Sequence, residues 1–346
     1  MELILLVIVA ALAFEYINGF NDTACAIATS VSTKVLTPRQ AVLMAALFNL
    51  GGALVGVSVA ATIGRGLVDT SYVTPLTVFS ALFSAIIWDL TAWWLGIPCS
   101  SSHALIGGLC GATLAAAHGK WAVIKAEGLL HKIVMPMFAA PIVGMLCGCL
   151  LMLLLLFFLH RYRPRIINRI FGRLQMGSAA WMAFGHGMND AQKTMGIIAL
   201  LLFTGTKAGS FDHLPLWLSF LRTPEFHVAR WVKVMCAVTM ATGTAVGGWR
   251  IIRTLGHNMV RLQPIHGFAA QTTAAGVISL ATYLGIPLST TQVISASIVG
   301  VGATKRLSAV KWGVVGKIVW AWVLTIPSTA LLGYGMQKLC LLAHRG

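Results

Sequence analysis

"LGIPCSSSHALIGG" (residues 95–108) and "LGIPLSTTQVISAS" (residues 284–297) are two versions of one phrase, recurring at an offset of 189 (95 to 284). Both stand inside strongly apolar stretches. In each, a proline removes a backbone donor and disfavours helix at the residue before it, and three hydroxyl residues follow. The phrase reads as a helix break at membrane depth, the tip of a re-entrant hairpin. Irregular backbone survives at that depth only where protein or a water-filled cavity covers it.

Two further motifs recur in the same order. "NGFNDTACAIA" (18–28) returns as "HGMNDAQKTMG" (186–196), and "ATIGRGLV" (61–68) returns as "RTLGHNMV" (253–260). The chain is thus an internal duplication. Its first repeat is 1–159, its second is 176–346, and a linker at 160–175, "HRYRPRIINRIFGRLQ", joins them. The linker holds Arg161, Arg163, Arg165, Arg169 and Arg173 without an acid, which marks it as a cytoplasmic loop.

Composition agrees with a lipid setting. The 346 residues are 58% hydrophobic and 10% charged, with mean hydropathy +0.84, where soluble domains carry about 25% charged residues. Lys and Arg outnumber acids 25 to 9, but they sit in short gaps between apolar runs, and the basic patch that nucleic acid would need is missing. The seven cysteines lie in apolar segments without metal-ligand spacing and imply no disulfide framework. The apolar N-terminus lacks a basic region ahead of it and reads as a first membrane helix rather than a cleaved signal. At about 20 apolar residues per crossing, spans are predicted near 2–32, 40–63, 76–96, 103–117, 134–159, 177–203, 231–250, 266–284, 291–304 and 312–337. The first is predicted to break near Asn18–Asp22 and the sixth near Gly185–Asp190. The region 205–230 reads as an aqueous loop. The expected fold is an all-α polytopic membrane protein, with two inverted repeats, broken helices and two re-entrant hairpins. Such duplicated proteins are often transporters with a midplane site.

Four of the nine acids, Glu15, Asp22, Asp89 and Asp190, fall within apolar segments, where an ionised group costs several kcal/mol, from about 2.5 upward. Asp22 and Asp190 are repeat equivalents. The hydroxyl triplets Ser100, Ser101, Ser102 and Ser289, Thr290, Thr291 each open a helix. A helix start offers unpaired N–H groups, a partial positive charge and hydroxyl donors, a combination that binds oxyanions. Two unit charges about 5 Å apart repel by roughly 3 kcal/mol at an effective dielectric of 20, so an anion reaches this pair of aspartates only together with cations or protons. Lys193 follows Asp190 on the same helix face, and its repeat counterpart is Cys25. Its ammonium is expected to stand in for one cation in the second half. Glu15 lies two turns before Asp22 and is expected to face the same cavity. His103 and His186 flank the motifs as candidate proton relays.

The duplicated Gly-x-Asn-Asp motif (Gly19–Asp22, Gly187–Asp190) and the duplicated Pro-x-Ser-Ser/Thr motif (Pro98–His103, Pro287–Gln292) resemble the inorganic phosphate transporter (PiT) family, in its compact bacterial form. The resemblance covers almost the whole chain. It implies a secondary transporter rather than an enzyme: a homodimer in the plasma (inner) membrane that takes up inorganic phosphate, alone or as a metal–phosphate complex, with Na+ or H+ and without a resident cofactor. It further implies that Asn21, Asn189 and Gln192 join the hydroxyl triplets around phosphate, and that Na+, if it is the co-ion, sits near Asn21, Asp22, Asn189 and Asp190. Gln292 stands where the second motif usually has histidine. Asn21 looks like the sodium-coupled branch, whereas Gln192-Lys193 look like the proton-coupled branch, so both co-ions stay open. Sulfate, or another tetrahedral oxyanion, is the alternative substrate. An intramembrane aspartyl protease or a passive channel explains the duplicated hydroxyl breaks less well.

Overall fold

The structure is a computed structural model that describes residues 2–212 and 215–343. Among the described residues the chain is helical throughout its regular structure, apart from an isolated Val68–Ile124 bridge. In chain order the helices are α1 Glu2–Ser32, α2 Pro38–Ala53, α3 Ser58–Arg65, α4 Pro75–Leu95, α5 Ser101–Ala116, α6 Ala126–Leu129, α7 Met135–Leu159, α8 Pro164–Lys207, α9 Arg230–Val246, α10 Trp249–Arg253, α11 Pro264–Tyr283, α12 Thr290–Ala303 and α13 Trp312–Ala343. A π-turn at Leu130–Val134 joins α6 to α7 without a gap. Among the described residues, four helical stretches are long and apolar enough to cross a bilayer: Glu2–Ser32, Pro75–Leu95, Ala126–Leu159 and Trp312–Ala343.

The order of elements recurs. A long helix (α1, α8) leads to a broken pair (α2–α3, α9–α10), a span (α4, α11), a short apolar helix (α5, α12) and a final long helix (α6–α7, α13). Packing recurs too. Helix α1 lies on α9 and α8 lies on α2, while α5 packs on α13 and α12 on α7, so each short helix is held by the last helix of the other half. Small residues make these approaches close. A Cβ on Gly111 of α5 would fall 2.0 Å from the Ala330 carbonyl oxygen of α13, and one on Gly300 of α12 would fall 2.0 Å from the Met145 carbonyl oxygen of α7.

The two quoted phrases break helices where the prolines require it. Helix α4 ends on Gly96 at φ 66° and α11 is followed by Gly285 at φ 68°, conformations that side chains with a Cβ rarely adopt. Four residues later Ser100 and Ser289 occupy the N-cap positions of α5 and α12. The caps accept hydrogen bonds from the backbone N–H groups of His103 and Gln292, each at 3.3 Å.

Three expectations are corrected. Helices α1 and α8 run unbroken through both Asn-Asp motifs. The glycines there serve close packing instead of a break: a Cβ on Gly19 would lie 2.5 Å from the Met240 carbonyl oxygen, and one on Gly187 would lie 2.3 Å from that of Asn49. The region 160–175 is not a loop beyond its first residues. Pro164 starts α8 at a position where its missing N–H costs nothing, and Arg165, Arg169 and Arg173, four residues apart, form an exposed face of its first turns. The stretch 40–63 is not one straight span, since α2 and α3 meet at 73°.

Candidate functional site

The unbroken centres of α1 and α8 meet the starts of α5 and α12, and Asp22, Asp190 and Lys193 converge there. Asp22 is 4% exposed, Asp190 0% and Lys193 2%, so all three charged groups are buried. The α12 triplet reaches both carboxylates: Thr291 Oγ1 donates to Asp22 Oδ1 and Thr290 Oγ1 donates to Asp190 Oδ2, each at 3.1 Å. The Lys193 ammonium lies 2.5 Å from Asp190 Oδ1 and 2.8 Å from the Leu288 carbonyl oxygen, and it donates to Ser102 Oγ of α5. Lys193 therefore ties the acid of α8 to the tips of both hydroxyl phrases.

The two halves correspond around this point, with one substitution that changes the charge beside the aspartates. Cys25 Sγ sits 3.5 Å from Thr291 Oγ1, and Lys193, its counterpart in the second repeat, holds Ser102, which is the counterpart of Thr291. Where the first half has a thiol, the second has a cation. His103 and Gln292, also equivalents, face each other at 3.5 Å across the middle of the molecule.

On the other side of Asp190, His186 Nε2 lies 3.2 Å from Oδ2. His186 Nδ1 is 3.1 Å from Asn49 Oδ1, while Asn49 Nδ2 donates to Thr23 Oγ1 at 2.8 Å and Thr244 Oγ1 at 2.9 Å. Ligand atoms of Asp22, His186 and Asp190 all lie within 4.8 Å of one another. Two carboxylates and an imidazole at that spacing form a place that a small cation or a proton can occupy.

The remaining expected site residues are engaged around the cluster rather than in it. Asn21 Nδ2 donates to the Asp89 carbonyl oxygen at 3.2 Å, and Asn189 Nδ2 donates to Thr282 Oγ1 at 2.7 Å and to the Ile286 carbonyl oxygen at 3.4 Å. Each asparagine thus pins the helix that precedes a hydroxyl phrase. Gln192 satisfies the bend between α2 and α3: its Oε1 accepts from Val59 N at 2.8 Å, and its Nε2 donates to the carbonyl oxygens of Met188 at 2.8 Å and Val55 at 3.3 Å. Glu15 is fully buried and accepts from Thr194, one residue past Lys193. Ser101 is buried in the first turn of α5. Sequence reading missed the Asn49–Thr23–Thr244 network and weighed His186 only as a relay. None of these has a like residue at its repeat-equivalent position, the signal that marks the aspartates, the asparagines and the hydroxyl triplets.

A membrane-embedded helical fold whose buried charges and hydroxyls converge from both halves defines a membrane transporter. Comparison with known proteins makes that specific. Residues 18–333 match the phosphate transporter family. A probable low-affinity inorganic phosphate transporter of Rhizobium meliloti (strain 1021) is 45% identical over 94% of this chain and 92% of its own length. A protein of the same description from Bacillus subtilis (strain 168) is 40% identical over 96% and 95%. A solved structure described as the sodium-dependent phosphate transporter superposes with a TM-score of 0.86 at 22% identity, covering 99% of this chain and all of that one. This chain belongs to the phosphate transporter family, and its activity is transport, not catalysis.

Proposed function

We propose that the chain imports inorganic phosphate with a co-moving cation, by alternating access around the Asp22–Asp190 cluster. The observation that carries this reading is the joining of two buried carboxylates to two hydroxyl-bearing helix starts, with Thr290 and Thr291 already donating to the acids. The helix starts offer about +0.5 elementary charge each, too little to hold a phosphate anion against two carboxylates. Lys193 neutralises Asp190 from within the protein. Asp22 has hydroxyl and thiol neighbours on its own side, so the mobile cation belongs with Asp22, beside His186. In this reading Lys193 takes the place of one cation and lowers the number that must move per phosphate.

Phosphate would replace the carboxylates as acceptor for Thr290 and Thr291, and the Leu288 carbonyl oxygen as acceptor for Ser102, when the co-ion arrives. Phosphate is favoured over sulfate because it can donate a proton-bearing oxygen to an aspartate, whereas sulfate near neutral pH only accepts. The recurrence of elements and the exchanged packing of α5 and α12 support two repeats, 1–159 and 176–346, inverted relative to each other and rocking about the shared site. The arginine-bearing start of α8 then faces the cytoplasm, and the assembly is a homodimer in the plasma membrane.

Labelled phosphate uptake into proteoliposomes tests the reading, with sodium and proton gradients imposed separately. One of the two gradients is expected to drive accumulation, and unlabelled sulfate is expected to compete weakly. Equal uptake without any gradient would point to a passive pore. Full competition by sulfate would move the substrate to the oxyanion class. Uptake that needs added divalent metal would identify a metal–phosphate complex as the cargo.

A further inference from the structure

Away from the central site, two concave regions meet at one end of the molecule. The first is a wholly apolar groove between α7, α12 and α13, lined by residues that include Pro141, Met145, Val299, Trp312, Val319 and Trp322. The second is a pocket of about 320 Å3 that includes Arg261, Lys305, Arg306 and Lys311, with His266 and Ser308 beside them. The two are contiguous along the chain at two points. Met259 lines the groove and Val260 the pocket; Lys311 lines the pocket and Trp312 the groove.

We infer that this composite site holds an anionic phospholipid, its phosphate headgroup in the basic pocket and an acyl chain in the groove. Charge complementarity argues for the headgroup. The four cations are exposed, and among the described residues none of them pairs with a carboxylate. Length argues for the chain: from Trp312 to Trp322, helix rise gives about 15 Å, half of the roughly 30 Å hydrocarbon core, so the groove spans one leaflet. Position argues for the interface. The Trp312 indole is 51% exposed and donates to the Leu307 carbonyl oxygen at 3.0 Å, fixing an aromatic ring at the rim where headgroup and tail divide. The site lies at the arginine-bearing end, since Phe268 of α11 packs on Phe171 in the first turns of α8 with ring centroids 5.2 Å apart. Basic pockets between helices at a cytoplasmic face are suited to acidic headgroups. A lipid lodged there touches α12, the helix whose other end carries Thr290 and Thr291.

The test is native mass spectrometry of the full-length protein in detergent, titrated with phosphatidylglycerol and with phosphatidylcholine. The wild type should retain phosphatidylglycerol at least 30-fold more tightly. Lys305→Gln/Arg306→Gln should weaken phosphatidylglycerol about 30-fold and leave phosphatidylcholine unchanged. Val319→Trp, at a position 42% exposed, should fill the groove from the lipid side and weaken both. Inorganic phosphate at millimolar concentration should displace neither. Equal retention of the two lipids by the wild type, which needs no variant to fold, would overturn the proposal. So would displacement by inorganic phosphate, which would make the pocket a site for the free anion. A delipidated dimer that Val319→Trp dissociates would overturn it by giving the groove to a second copy of the chain.

Discussion

Lys193 touches Asp190, Ser102 and the Leu288 carbonyl group from one buried position, and this makes its removal informative. Lys193→Gln leaves a carboxylate buried without its fixed cation, a change that costs about 3–5 kcal/mol in other proteins. A fall in melting temperature is expected, and Lys193→Gln combined with Asp190→Asn should recover most of it while transport stays lost. If the double variant melts as low as the single one, the Lys193–Asp190 pair is not what stabilises this region. The altered charge should also be visible in stoichiometry: wherever Lys193→Gln retains uptake, one more cation should move with each phosphate. Asp22→Asn and Asp190→Asn keep the shape of the site and should each reduce gradient-driven uptake at least tenfold in proteoliposomes, with unchanged elution on size exclusion. The aspartates and the threonines that meet them were legible because the chain states them twice. Asn49, Thr23 and Thr244 were not, because a repeat comparison is blind to residues present in one copy only; His186 was legible as a candidate relay, but not its place beside both aspartates.

Helices carry the next level of constraint. Ser100 and Ser289 cap α5 and α12, so Ser100→Ala and Ser289→Ala should each lower stability by about 1 kcal/mol. If their hydroxyls also meet phosphate, Ser100→Gly and Ser289→Gly should raise the KM for phosphate as much as the alanine variants do, because glycine is a tolerable cap that offers no side-chain donor. Where short helices meet long ones, glycine is required: Gly111→Ala and Gly300→Ala should strongly reduce folded yield, since each methyl would sit 2.0 Å from a carbonyl oxygen. Gly335→Ala meets nothing within 4 Å and should be neutral or stabilising by up to about 1 kcal/mol; thermal melts in detergent check the contrast. The helix breaks at the two hydroxyl phrases were readable because proline and a left-handed glycine act locally. The Asn-Asp segments were misread as breaks because Gly-x-Asn-Asp looks like turn chemistry, whereas Asn21 and Asn189 spend their amides on neighbouring helices and their glycines on close approach. The arginine-rich stretch looked like a loop by charge, but charge does not stop a helix that a proline has started.

At the scale of the whole molecule, two sets of elements in the same order place one acid each at a common centre, and the short helices of each half are gripped by the last helix of the other. That exchange explains why neither half can close the site alone. It also means that movement of α12, which carries Thr290 and Thr291, must be accommodated by α7 from the opposite repeat. One asymmetry at the centre, Cys25 against Lys193, gives Asp190 a cation fixed in the protein and Asp22 none; in the proposed reading Asp22 is neutralised by what the protein carries. The most direct test is phosphate binding to the purified protein as the co-ion concentration is varied, in the wild type and in Asp22→Asn. The wild type should bind phosphate more tightly as the co-ion rises. Asp22→Asn, relieved of the repulsion, should bind phosphate with an affinity that no longer responds to the co-ion. The same co-ion dependence in both proteins would contradict the electrostatic basis of coupling.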